Sequence, residues 1–153
     1  MRILVISDSH GDYYSVCRAL REQPSARVVF FLGDGEYDIQ QAEEYSKNAY
    51  IHKVKGNCDF GSVLPASLID DVDGVRIYAT HGYVEKVKYG RELLKQYAKK
   101  NNAAIALYGH THVADTTYDD GLWLVNPGSI RMGEYAVIDI EPNGIMPILL
   151  KLK

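Results

Sequence analysis

The chain has 153 residues, 46% of them hydrophobic and 24% charged, ordinary proportions for a globular protein with a sizeable core. A formal net charge of −3 supplies no basic surface, so binding to nucleic acid through its phosphate backbone is not favoured. Two cysteines, Cys17 and Cys58, form no disulfide framework, and no apolar run approaches the roughly 18 residues needed to cross a membrane. The stretch Met1–Ile6 is too short in its apolar part for a secretory leader, and the expectation is a cytoplasmic protein of one domain, residues 1–153.

Taken in order, Ile3–Ile6 is a continuous apolar run, the pattern of a strand buried on both faces. A helix is expected over Asp12–Glu22, with Asp12 at its start. A second buried strand follows at Val28–Leu32, then a short helix over Asp38–Tyr45 and a strand over Tyr50–Val54. This βαβαβ order implies a parallel sheet with helices packed on it. The second half changes character. Asp73-Gly74 joins strands Ser67–Val72 and Val75–Ala79 into a hairpin, and Lys86–Lys100 reads as a helix weakened at Gly90. Ile105–Tyr108 is another strand. Asp120-Gly121 joins Val113–Tyr118 to Leu122–Val125, and Pro142-Asn143-Gly144 joins Tyr135–Ile140 to Ile145–Leu152. The fold class expected is α/β, a two-sheet mixed β-sandwich flanked by α-helices.

Chemistry gathers at the ends of these strands. Asp8-Ser9-His10, Gly33-Asp34, Gly56-Asn57-Cys58-Asp59, His81-Gly82 and Gly109-His110-Thr111-His112 each follow an apolar run. One Asp-x-His or Gly-Asp pair alone is as well read as a turn or a helix cap. Five such clusters, all of carboxylate, amide or imidazole, point instead to a metal site in the crevice beyond the strands' carboxyl ends. Seven candidate ligands result: Asp8, His10, Asp34, Asn57, His81, His110 and His112. Mixed oxygen and imidazole donors suit Mn2+, with Ni2+, Co2+, Fe2+ or Zn2+ as alternatives, and two adjacent ions suit in-line phosphoryl displacement.

The five blocks in this order resemble those of the calcineurin-like metallophosphoesterases, in particular their small single-domain phosphodiesterase branch, to which the retromer metallophosphoesterase-like subunit is related in fold. The resemblance runs from Asp8 to Asn126-Pro127-Gly128-Ser129 and the closing hairpin. It implies that Asp8, His10 and His112 hold one ion, that Asn57, His81 and His110 hold a second, and that Asp34 bridges them. It further implies hydrolysis of a small phosphodiester by a hydroxide held between the ions, with Asp34, Asn57 and His81 as catalytic positions. Cys58 stands where many members carry a histidine that contacts phosphate; a neutral thiol offers no positive charge and is a poorer proton donor. Arg131, just past the Asn-Pro-Gly-Ser turn, is a candidate phosphate contact. Two other functions stay open: a metal-binding interaction scaffold of the retromer-subunit type, and a phosphomonoesterase or nucleotide pyrophosphatase. The twelve tyrosines are compatible with a homodimer or higher oligomer.

Overall fold

The structure, a computed structural model, describes residues 1–153. Its elements in chain order are β1 (Arg2–Ile6), α1 (Tyr13–Glu22), β2 (Val28–Phe31), α2 (Glu36–Ala42), β3 (Tyr50–Lys53), β4 (Ser67–Val72) and β5 (Val75–Thr80). Then come α3 (Glu92–Lys100), β6 (Ile105–Leu107), β7 (Asp115–Asp119), β8 (Leu122–Asn126), β9 (Glu134–Glu141) and β10 (Gly144–Lys151). Two five-stranded sheets result, ordered β10-β9-β1-β2-β3 and β4-β5-β6-β8-β7. In the first, β1, β2 and β3 are parallel and β9 and β10 add antiparallel; in the second, β5, β6 and β8 are parallel and β4 and β7 are antiparallel edges.

The period of two along each strand decides the layering. Ile3 and Val5 of β1 and Phe30 of β2 point between the sheets, where they meet Ile77, Ala79, Ile105, Leu107 and Val125 in a core cluster of 14 buried side chains. Leu4, Ile6, Val29 and Phe31 point the other way and bury Val16, Ala19 and Leu20 of α1 and Ile39 and Ala42 of α2. On the far side, α3 lays Leu94 and Ala98 on Tyr78, Ala106, Leu122 and Leu124. The layers are therefore helix, sheet, sheet, helix, as the pattern of buried strands implied. Truncating a central side chain such as Leu107 to Ala would cost about 2–5 kcal/mol.

Local chemistry sets the boundaries. Asp12 caps α1, its carboxylate accepting from Ser15 N at 3.1 Å and from Ser15 Oγ at 2.7 Å. The Asp73-Gly74 and Asp120-Gly121 turns have the paired positive φ (51° and 79°, 50° and 78°) that a two-residue hairpin loop requires. The expected helix over Lys86–Lys100 is corrected: a 3-10 turn at Val87–Tyr89 ends at Gly90, whose φ of 141° breaks the chain before α3 begins at Glu92. The second helix begins two residues earlier than Asp38 and passes into a 3-10 turn over Glu43–Ser46, while β7 begins at Asp115 and not Val113. No helix is long and apolar enough to cross a membrane.

Candidate metal centre

All seven predicted ligands lie past the carboxyl ends of strands, four from the first sheet and three from the second. Asp8 and His10 follow β1, Asp34 follows β2, Asn57 follows β3, His81 follows β5, and His110 and His112 follow β6. Parallel strands that start at one end of the sandwich deliver their following loops to the other. Asp8, His10, Asp34, His110 and His112, five of the seven, have φ between 46° and 68°. Such backbone costs about 1–3 kcal/mol at each position and persists only where the surroundings over-determine it. The surroundings here are crowded: a Cβ on Gly56 would collide with the Asp34 carboxylate, and one on Gly109 with the Ser7 hydroxyl.

The donors fall into two groups. In the first, His112 Nε2 lies 3.1 Å and His10 Nε2 3.5 Å from Asp8 Oδ1, and the two imidazole nitrogens are 3.2 Å apart. In the second, His81 Nε2 lies 3.0 Å from Asn57 Oδ1, 3.2 Å from His110 Nδ1 and 3.3 Å from Asp34 Oδ2. Asp34 Oδ2 is also 3.7 Å from His10 Nε2, so one oxygen faces both groups. Donor atoms that share one ion at about 2.1 Å and subtend 90–109° lie about 3.0–3.4 Å apart. Five of the seven separations fall in that range, and the two from His10 to Asp8 and Asp34, 3.5 and 3.7 Å, lie just beyond it. His81 Nδ1 donates to the Leu32 carbonyl at 2.7 Å, which assigns its proton and turns the Nε2 lone pair toward three other electron-rich atoms. A convergence of that kind calls for a cation.

The Asp34 and Asp8 carboxylates draw positive charge to the site, a proton on His81 where no metal is bound. Burial opposes ionisation of Asp34, yet His81, the Cys58 amide and His10 together hold its carboxyl at about 2. Burial likewise opposes a charged His81, but Asp34 and Asp8 outweigh it and raise its pKa. His110 is pushed down, by burial first and then by His81 and Lys88. The Cys58 thiol is pushed up by burial and by the neighbouring Asp34 carboxylate.

A second layer of side chains fixes the ligands. The Asp59 carboxylate accepts the amides of Asp34 (2.8 Å), Gly35 (2.9 Å), Glu36 (3.0 Å) and Gly56 (2.7 Å), tying the loops after β2 and β3 together. Ser129 Oγ donates to Asp8 O at 2.8 Å, and Asn126 Nδ2 to Gly109 O at 3.1 Å and Thr111 Oγ1 at 2.9 Å, so the Asn-Pro-Gly-Ser segment supports the site from behind. Sequence reasoning passed over Ser7, which donates to Asp8 Oδ2 at 2.5 Å, and Asp38, which accepts from Ser9 Oγ at 2.5 Å and Gly11 N at 2.9 Å. It also passed over buried Glu85, bonded by Tyr78 Oη at 2.7 Å and Thr80 Oγ1 at 3.0 Å.

Cys58 is exposed, with its sulfur within 4.8 Å of donor atoms of His10 and Asp34. Arg131 is exposed on the 3-10 turn Ile130–Met132, whose Ile130 is buried, and makes no ion pair. His52 is no ligand: it stacks on Phe30 with ring centroids 4.6 Å apart.

Comparison with known proteins gives the family. The family model for the calcineurin-like phosphoesterase superfamily domain matches residues 1–143, and the chain belongs to that superfamily. A probable metallophosphoesterase of Bacillus subtilis, YsnB, is 31% identical over 152 residues, covering 92% of this chain and 85% of that protein. A conserved, uncharacterised protein of Streptococcus pneumoniae, described as a predicted phosphoesterase, superposes with a TM-score of 0.83 at 30% identity, over 98% of this chain and 88% of its own. Two more distant structures share the fold alone. They are a Vps29 variant from Entamoeba histolytica (TM-score 0.77, 18% identity, 100% of both chains) and an archaeal phosphodiesterase (0.76, 20%, 98% of this chain and 100% of that one). The chain is thus a metallophosphoesterase by family, with donor clusters able to hold divalent ions.

Proposed function

We propose that the protein is a phosphodiesterase dependent on two divalent ions, Mn2+ by preference, that hydrolyses a small phosphodiester. Asp8, His10 and His112 would hold one ion, Asn57, His81 and His110 the other, and Asp34 would be shared between them. The observation that supports this reading most is the position of Asp34 Oδ2, 3.7 Å from His10 Nε2 and 3.3 Å from His81 Nε2. When bound, the ions would acidify a water and offset charge on the phosphoryl oxygens.

The chain's own residues do the rest. An ionised Asp34 offsets the repulsion between two cations. The Leu32 carbonyl fixes the tautomer and orientation of His81. Cys58 is the basis for choosing a diester. A monoester dianion calls for more positive charge near its oxygens than a diester monoanion, and the neutral thiol supplies none. It is also a weak proton donor, so esters of good leaving groups should turn over faster than alkyl esters bound equally well. Arg131, unpaired on its turn, is proposed to meet a phosphate oxygen.

The test is metal content together with hydrolysis of bis(p-nitrophenyl) phosphate and p-nitrophenyl phosphate, with and without Mn2+, in wild type and Asp34→Asn. About two ions per chain, Mn2+-dependent cleavage favouring the diester, and loss of both in the variant are expected. Metal without turnover of either ester would favour an interaction scaffold, and preference for the monoester a phosphomonoesterase.

A further inference from the structure

Beside the donor groups lies a cleft of about 790 Å³ lined by Asn57, His110, Tyr83, Val84, Lys86, Lys88 and Tyr89. Its wall is the loop 82–90, built with an alternation that has a physical cause. Glu85 is buried and bonded by Tyr78 and Thr80, and Val87 is buried beneath Gly82, whose φ is 103° and whose missing Cβ leaves room for the valine methyls. With these two pulled inward, Tyr83, Val84, Lys86, Lys88 and Tyr89 are turned outward. Lys86 is held in the left-handed region, with φ of 54°. Neither lysine has a carboxylate within ion-pair distance, although the chain as a whole is acidic, and no acidic residue lines the cleft. Tyr83 stands perpendicular to His110, with ring centroids 5.5 Å apart, and Tyr89 is 93% exposed.

A phosphodiester carries one negative charge, which the metal centre at Asn57 and His110 would take up. Two further unpaired cations and two tyrosine faces then remain for the rest of the substrate. The volume is that of a ligand pocket for a molecule larger than a simple alkyl ester. Exposed tyrosines offer stacking faces to any nucleobase, and lysines act as point charges toward phosphate.

We propose that this cleft selects a phosphodiester one arm of which is a nucleoside bearing a second phosphate, with Tyr83 and Tyr89 against the base and Lys86 and Lys88 at the terminal phosphate. The proposal rests on the phosphodiesterase reading above. On the 5′-phosphorylated dinucleotide pApA, water's oxygen forms the new bond to the internal phosphorus. The bond to the 3′ oxygen breaks with its electron pair, and that oxygen takes a proton, giving two molecules of AMP. The unphosphorylated ApA would give adenosine and AMP.

The experiment compares kcat/KM for pApA and ApA in the metal-loaded protein. Wild type should prefer pApA by about tenfold or more, the effect expected of charged contacts to a phosphate. That ratio should fall to near one in Lys86→Ala/Lys88→Ala and stay at its wild-type value in Lys100→Ala, which removes an unpaired cation on α3. Tyr89→Ala should raise KM for both dinucleotides with kcat little changed. A wild-type ratio near one, or a ratio unmoved by the double lysine variant, overturns the proposal. Hydrolysis of bis(p-nitrophenyl) phosphate by wild type reports on the phosphodiesterase reading separately. Where no ester is turned over, calorimetric Kd values for pApA and ApA decide the recognition claim by the same ratio in the same variants.

Discussion

The two halves of the candidate centre use similar chemistry in unlike settings. Asp34 and His81 are each 3% exposed in their side chains, and His81 is anchored through Nδ1 to the Leu32 carbonyl. His10 and His112 are 23% and 43% exposed, and their contacts are to Asp8, Asp34 and each other. A ligand whose rotamer is locked by burial and a hydrogen bond loses little freedom when it binds an ion, whereas an exposed imidazole must be ordered by the ion itself. His81 is therefore set before an ion arrives, whereas His10 and His112 would be ordered by the ion they bind.

Removing the anchored member tests that contrast most severely. In His81→Ala, hydrolysis of bis(p-nitrophenyl) phosphate should fall roughly 10²–10³-fold. The orphaned Leu32 carbonyl should in addition lower stability by about 1–3 kcal/mol in urea unfolding of the metal-free protein. His112→Ala should lose activity too, but its metal-free stability should stay within about 0.5 kcal/mol of wild type, and it should retain about one ion per chain by elemental analysis. Equal stability losses in the two variants would erase the distinction between the halves. Next in size, Asp59→Asn should weaken metal affinity about 10–100-fold, because the carboxylate gathers four amides of the loops that carry Asp34 and Asn57. Ser129→Ala, which touches only the carbonyl of Asp8, should do less. The smallest effect, a gain, is expected at the rim: Cys58→His should raise turnover of alkyl phosphodiesters severalfold, more than that of p-nitrophenyl esters, since a good leaving group has less need of a proton. An unchanged alkyl rate in a folded, metal-loaded variant would show that position 58 donates no proton.

How much of this was legible in the sequence differs by region for a physical reason. The sandwich could be read because its strands are buried on both faces and so appear as unbroken apolar runs, Ile3–Ile6 and Val28–Phe31 above all. The seven candidate ligand positions could be picked out because each is a polar residue of ligating type placed just after such a run. The loop 82–90 could not. Val87, Leu94, Tyr97 and Ala98 have helical spacing and Gly90 marks only a weak point; that the helix stops there, with Glu85 and Val87 turned inward to Tyr78, Thr80 and Gly82, is visible only in three dimensions. Asp38 was missed because an acidic residue in the first turn of a helix already has a reason to be there, the helix dipole, and its bonds to Ser9 and Gly11 are visible only in three dimensions. Asp59 could be read as either a turn residue or a support, and the structure decides for support.

The division of ligands between the sheets has a mechanical consequence. Asp8 and His10 come from one sheet and His112 from the other; Asp34 and Asn57 come from the first and His81 and His110 from the second. Each ion would then act as a rivet through both leaves of the sandwich, at the end where the apolar filling between them gives way to polar side chains. Prying the leaves apart would require extracting metal, so loading should toughen the protein against mechanical unfolding as well as arm its chemistry.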